Sequence, residues 1–439
     1  MNTPICDFVR RYAESNSLRL HMPGHKGQGP LGVEQLDITE ISGADSLYEA
    51  SGIIAESEAN ASVLFGCPTF YSTEGSSQCI RAMLYLATCG RNLRIAAARN
   101  VHKTFLSAAA LLDLQVDWLY PKEHTAYLCC DITAEDLENY FRNCTQVPSA
   151  VYVTSPDYLG NMLPIDSLAE VCHRYGALLL VDNAHGAYLK FLPDSRHPMG
   201  LGADLCCDSA HKTLPVLTGG AYLHIRDAEL ACYAKNALAL FGSTSPSYLI
   251  LQSLDSANAT LSDPTYRLRL EALSSLADDL RQRLECHGFD ASNGMEPLKI
   301  TICPRRFGYT GIELAEKLRN CGIECEFSDP DYLVLMLTPA ISAEDLKRVA
   351  DSLTALPRRM SLKTDAPCIG QPEQVLSIRE ALLSPAETVP VELSIGRTLA
   401  ASTVGCPPAI PIVVCGERID EKALQCFRYY GIETCCVVK

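Results

Sequence analysis

Between about Thr69 and Ile225 the chain alternates short apolar runs with stretches in which apolar residues recur at helical spacing. Arg94–Arg99, Val116–Tyr120, the run from Ser149, Leu178–Val181 and Gly219–Ile225 read as strands. Cys79–Ala87, Phe105–Leu112, Ala134–Asn143 and Leu163–Tyr175 read as the helices between them. Strands separated by helices predict an α/β unit with right-handed crossovers and a mostly parallel sheet. Ahead of it, Ile5, Phe8, Val9 and Tyr12 predict a helix over 3–16. A second helix is expected over Ala55–Phe65, with Ala59, Val63 and Leu64 as its apolar side, after an irregular stretch over 42–54.

Beyond the sheet, a helix is expected from near Ala228 to just before Phe241, then long helices over Tyr248–Ala259 and Tyr266–Cys286. Gly288–Gly294 reads as a linker. Leu298–Cys303, a helix over Thr310–Cys321, Glu324–Phe327 with Tyr332–Leu337, and a helix over Ser342–Leu356 predict a small α+β domain. Residues 357–372 are loop-rich, and Gln374–Leu382 reads as a helix. The prolines Pro407, Pro408 and Pro411 before Gly416-Glu417 suggest a rigid loop and an edge strand. The expected division is an N-terminal arm over 1–60, a large domain over 61–290, the small α+β domain over 291–365 and a C-terminal domain over 366–439.

A chain of 439 residues, 47% hydrophobic and 20% charged, suits a multi-domain globular enzyme. The net charge of −15 disfavours nucleic acid and anionic membrane as partners and is compatible with cationic substrates. The 21 cysteines include no Cys-X-X-Cys spacing, and the adjacent pairs at 129, 206 and 435 lie in apolar contexts. They read as small buried hydrophobes rather than metal ligands. No signal peptide and no apolar run of about 18 residues is seen, so a reduced, cytoplasmic protein is expected.

The candidate chemistry centres on Ser209-Ala-His211-Lys212, set between apolar stretches. A desolvated lysine loses its charge more readily, and a neutral amine is what Schiff-base chemistry requires. Taken alone, the four residues also fit a polar surface turn. Upstream, the apolar run Ala177–Val181 ends in Asp182, followed by Asn183-Ala184-His185. A carboxylate at the C-terminal end of a parallel strand sits where open α/β sheets bind ligands, and it can keep a pyridine nitrogen protonated. The alternative is a capping aspartate. Gly75-Ser76-Ser77 at a helix start reads as a phosphate cradle or as a plain N-cap. His102, at a strand-to-helix junction, suits stacking on a planar ring or capping the helix. His21 and His25 with Lys26 lie on a Pro/Gly-rich loop without a completing metal-ligand set, which suggests a loop reaching an active site, its own or a neighbour's.

Taken together, His21-Met-Pro-Gly-His-Lys26, Asp37-Ile-Thr-Glu40, Gly75-Ser-Ser77, Ala98-Arg-Asn-Val-His-Lys103, Asp182-Asn-Ala-His185, Ser209-Ala-His-Lys-Thr-Leu-Pro215, Thr244-Ser-Pro246, Pro407-Pro-Ala-Ile-Pro411 and Gly416-Glu417 resemble the ornithine/lysine/arginine decarboxylases. The likeness is to the short form without an N-terminal wing domain. It implies the fold-type I, aspartate-aminotransferase-like architecture of pyridoxal-phosphate (PLP) enzymes, with a small α+β domain and a C-terminal domain. It implies that Lys212 carries the cofactor and Asp182 pairs with its ring nitrogen. His102 and Ala184 would take the two ring faces. Ser76, Ser77, Ser209 and His211 would hold the phosphate, with Thr244 reaching the phosphate of a neighbouring subunit. A homodimer with shared active sites follows, with further assembly open. Glu417 is the candidate for the distal cation of a basic amino acid, and His185 lies near the reacting carbon. No metal is expected. Gly219-Gly220 after the lysine, the 42–54 stretch and Cys415 depart from the family pattern. An aminotransferase, using Arg379 or Arg397 for the α-carboxylate, a cysteine desulfurase and a catalytically silent homologue are the alternatives.

Overall fold

The computed structural model describes the chain apart from residues 122–125, 364–365 and 402–408. Pro407 and Pro408 of the expected rigid loop lie outside the described residues; among the described residues from Ala409 to Ile419 there are isolated bridges but no strand. The first seven strands in chain order are β1 (Thr69–Ser72), β2 (Arg94–Ala98), β3 (Gln115–Leu119), β4 (Ala150–Thr154), β5 (Leu178–Asp182), β6 (Leu205–Asp208) and β7 (Ala221–Ile225). Two compact units divide the chain, and neither is one continuous stretch: Met1–Arg91 with Leu178–Leu268, and Asn92–Ala177 with Arg269–Lys439.

In the first unit the strand order is β1-β7-β6-β5. Strands β5 and β6 are parallel, and β7 runs antiparallel to both β6 and β1. The reversal goes with the connection. Only residues 209–220 separate β6 from β7, and they hold a single turn of helix, Ala210–Thr213. A parallel return is usually made through a full crossover helix, and this connection holds only one turn. Every residue of β6 and β7 is buried, as expected for strands covered on both faces. The helices of this unit include Pro4–Glu14, Ile53–Phe65, Gly75–Thr88 and Tyr248–Ser262.

In the second unit β4-β2-β3 are all parallel. The same unit holds an antiparallel sheet ordered β10-β11-β9-β8, built from β8 (Asp290–Asn293), β9 (Lys299–Cys303), β10 (Phe327–Ser328) and β11 (Leu333–Met336). A two-stranded ribbon pairs β12 (Ala386–Pro390) with β13 (Thr434–Val438). The ribbon and the helix Glu421–Tyr429 enclose an apolar cluster that includes Val413, Ile419, Phe427 and Val437. Among the described residues, no helix is long and apolar enough to cross a membrane.

The periodicity locates most helices to within a residue or two, and the α/β class stands. Four local expectations are corrected. On Ile53–Phe65 the buried face is Ile54, Ser57, Glu58, Ala61 and Phe65, whereas Val63 is 75% exposed. Two polar residues sit inward because Ser57 bonds Tyr71 Oη and Asp255, and Glu58 pairs with Lys235. The expected linker at 288–294 contains β8, an edge strand whose register shifts within it. The helix expected from Ala228 is broken at Cys232-Tyr233 into Ala228–Ala231 and Ala234–Ala239. The helix expected from Gln374 begins at Ile378, where Ser377 and Glu380 form a capping box; Gln374 instead bridges to Glu417.

Candidate active site

The first unit gathers most of the candidate residues at the C-terminal ends of β5 and β6. Asp182 is the last residue of β5 and is 2% exposed. Its Oδ1 accepts the Ala184 N–H at 3.2 Å and the Cys207 thiol at 3.6 Å. Burial and the neighbouring Asp182 carboxylate hold the Cys207 thiol well above its usual range, so it stays protonated and donates. Next along the chain, Asn183 Nδ2 donates to Asp208 Oδ1 at 2.7 Å. Successive residues of β6 thus pin successive residues at the end of β5.

Lys212 lies in the one-turn helix after β6. Its Nζ is 2.9 Å from Nε2 of the buried His185. A hydrogen bond between these nitrogens needs a lone pair on one of them, so the pair can hold a proton and pass it across. His211 faces the other way. Its Nδ1 lies 3.0 Å from the Gly220 carbonyl and must be the donor, because a carbonyl only accepts. Burial lowers the His211 pKa, and the Lys212 charge adds to the effect, so the imidazole is biased toward neutral.

Ser209 precedes that helix turn but does not cap it; its Oγ donates to Ser76 Oγ at 2.8 Å. Ser76 and Ser77 lie in the first turn of the helix Gly75–Thr88, whose N-cap residue Glu74 provides no side-chain acceptor. Gly75 has φ +72°, a conformation side chains resist, and its N–H bonds the Gly219 carbonyl. That bond draws the turn after Lys212 to the start of the helix. A helix start without a side-chain cap, carrying hydroxyls and met by Ser209, has the donor character a phosphate requires. Together with a buried carboxylate and a lysine paired to histidine, these residues fit the anchor points of pyridoxal phosphate. Ala184 is half-buried in the turn after β5, and Thr244 is exposed.

The second unit holds His102 and Glu417. His102 caps the helix Lys103–Leu112, its Nδ1 accepting the Thr104 N–H at 3.2 Å. Glu417 is 1% exposed and pairs with Arg99, Oε2 to Nη2, at 2.8 Å; the same oxygen accepts the Val414 N–H at 2.6 Å. Burial raises the Glu417 pKa against the pull of Arg99. Arg99 also donates to the carbonyls of Pro411 and Ile412 and lies over the Trp118 ring. Arg379 and Arg397, the candidates for an aminotransferase's carboxylate clamp, are committed elsewhere. Arg379 donates to the Ala110 carbonyl, and Arg397 to Glu387 and the Val438 carbonyl.

Sequence reasoning missed three arrangements. His25 on the N-terminal loop pairs with Asp37 at 3.1 Å, joining two of the motifs quoted above. The Arg99 partner of Glu417 was unassigned. Asp208 Oδ2 lies 3.0 Å from His197 Nε2 and 3.1 Å from His224 Nε2, all three fully buried. These three groups have metal-ligand spacing. However, His197 Nδ1 accepts the Met199 N–H, which leaves the ring proton on Nε2, facing Asp208. The arrangement is therefore a hydrogen-bonded one. Burial pushes the Asp208 carboxyl up, but the two histidines outweigh it and hold it well below the usual range.

The family described as Orn/Lys/Arg decarboxylase, major domain, matches residues 3–303. An arginine decarboxylase of Bacillus subtilis is 30% identical over 459 aligned residues, 96% of this chain and 92% of its own. Among solved structures, the Francisella novicida lysine decarboxylase LdcF superposes with a TM-score of 0.83 at 19% identity, covering 99% of this chain and 79% of that one. The Sphingomonas wittichii serine palmitoyltransferase gives 0.59 at 13% identity, covering 81% and 83%. These two show a shared fold.

Proposed function

The chain belongs to the Orn/Lys/Arg decarboxylase family, and on that premise we propose that it removes the α-carboxyl group of a basic amino acid, arginine first, using pyridoxal phosphate. The observation that carries the reading is the meeting of Lys212 with His185 beside Asp182, all within one unit. Arginine is put first because relatives named arginine decarboxylase align at 28–30% identity over 96–97% of the chain. The Escherichia coli constitutive lysine decarboxylase aligns at 21%.

Pyridoxal phosphate, when bound, supplies an aldehyde that captures amines and a ring that draws electrons from the bond to be broken. Lys212 would hold its aldehyde carbon, and Ser76, Ser77 and Ser209 its phosphate, with His211 joining them by taking up a proton on Nε2 as the anion binds. Asp182 would hold the proton on its ring nitrogen, with His102 and Ala184 at the ring faces. His185 accepts or returns the proton of the Lys212 amine, and the two together can deliver a proton to the α-carbon once carbon dioxide has left. Glu417 is the proposed partner of the substrate's distal cation. Its Oε2 is shared by Arg99 and Val414, which leaves Oε1 to face a guanidinium. Arg99 would keep that carboxylate ionised in its buried setting. Exposed Thr244 would serve the phosphate of a second subunit, so the active unit is a homodimer.

The test is direct. Protein incubated with the cofactor and borohydride should carry a reduced pyridoxyl group on Lys212, located by peptide mapping. Incubation with arginine, lysine and ornithine in turn should release carbon dioxide fastest from arginine, with the matching amine as product. Labelling of another residue, or release of a keto acid or sulfide instead, would overturn the reading.

A further inference from the structure

We infer that Cys207 is a positioning residue for the cofactor's ring-nitrogen partner: its thiol donates to Asp182 and keeps that carboxylate aimed. The inference deepens the proposed function and rests on it. Cys207 lies on β6 beside Asp182 on β5, paired in register, with its Sγ 3.6 Å from Asp182 Oδ1. Both residues are buried, Cys207 at 0% and Asp182 at 2% exposure. A thiol so placed is an S–H donor, since burial and the nearby carboxylates oppose its ionisation. The Ala184 N–H and the thiol both meet Oδ1. Donors gathered on one oxygen fix the rotation of the carboxylate.

The arrangement is stiff because the next pair repeats it. Asp208 of β6 holds Asn183 while itself held by His197 and His224. Cys207 therefore cannot drift without moving a buried polar network. An apolar residue would pack equally well between these strands; the thiol adds a directed donor toward the one carboxylate the cofactor requires.

Two substitutions separate donation from packing. Cys207→Val removes the donor and adds about one methyl group of volume, whereas Cys207→Ser keeps a donor and loses a little volume. For Cys207→Val, cofactor affinity, read by titrating apoprotein and following the visible band, should weaken about five-fold, the size expected for one weak hydrogen bond to a charged group. The visible band of the bound cofactor should also shift in Cys207→Val, because a carboxylate freed to rotate meets the ring nitrogen less squarely. Cys207→Ser should stay near wild type in both readings while losing thermal stability. The opposite ranking, with Val unchanged and Ser impaired, assigns Cys207 to packing and overturns the inference. Wild-type protein that takes up no cofactor overturns the functional reading itself. Uptake by wild type with an unshifted Cys207→Val removes only the inference.

Discussion

Asp329→Asn should stabilise the protein at pH 8 and give no gain at pH 5. Asp329 is 6% exposed, in the turn between β10 and β11. Its Oδ1 accepts the Asp331 and Tyr332 N–H groups at 2.8 and 2.6 Å, while its buried Oδ2 has no hydrogen-bond partner. Burial raises its pKa to about 7, only partly opposed by those two amides. The sign follows from linkage. Between the unfolded value of about 3.9 and the folded value, the folded state binds more protons, so stability falls as pH rises through that window. A shift of about three units sets an upper bound of about 4 kcal/mol on the loss by pH 8. Asparagine keeps the accepting oxygen and removes the charge. It leaves one N–H without a partner, a cost of about 1 kcal/mol. The net gain at pH 8 is then about 2–3 kcal/mol, vanishing at pH 5. Urea unfolding at both pH values gives the numbers. A difference between variant and wild type that does not change with pH would refute the reasoning.

Asp208→Ala removes the acceptor of two buried imidazoles and of Asn183. At roughly 1–3 kcal/mol for each orphaned donor, it should cost about 4 kcal/mol in urea unfolding, with cofactor affinity falling in parallel. Arg99→Met leaves Glu417 charged at 1% exposure and should destabilise by about 3–5 kcal/mol, most of it recovered in the Arg99→Met, Glu417→Gln double variant. A cycle without that recovery would remove the ion pair as the cause. Asp182→Asn should remain folded and lower kcat at least a hundredfold, the equivalent of about 3 kcal/mol of transition-state stabilisation. Near-normal turnover in a stopped carbon dioxide assay would contradict its role.

What was legible in the chain, and what was not, divides along physical lines. Leu178–Asp182 and Ala134–Asn143 could be read because burial on both faces, or on one stripe, imposes a pattern that local sequence must carry. The inward face of Ile53–Phe65 could not, since Ser57 and Glu58 are buried through partners at Tyr71, Asp255 and Lys235, distant in sequence. Strand β8 hid within a glycine-flanked stretch because an edge strand with a register shift lacks a clean alternation. The candidate site follows the same rule. Lys212, Asp182 and the serines were visible as types in a motif; their mutual hydrogen bonds were not, because each joins elements far apart in the chain.

The histidine at 102 shows where such reading reaches its limit. From sequence, capping and ring stacking were equally open, and the structure shows the cap: Nδ1 receives the Thr104 N–H. The two roles do not exclude each other. A ring that accepts in its plane at one nitrogen is held in orientation by that bond, and its face stays available for stacking. The cap restricts rotation about the side chain and so lowers the entropy cost of placing the face against a planar ligand. A residue chosen only for capping would be serine, threonine or aspartate, which do so without a ring. Stacking is the proposed reason for an imidazole at this position, and His102→Asn divides the two: the cap survives, the stacking surface does not. Cofactor affinity should fall about tenfold with the thermal stability of the unliganded protein unchanged, the loss of roughly one aromatic contact. Equal loss of both would return His102 to a purely capping role.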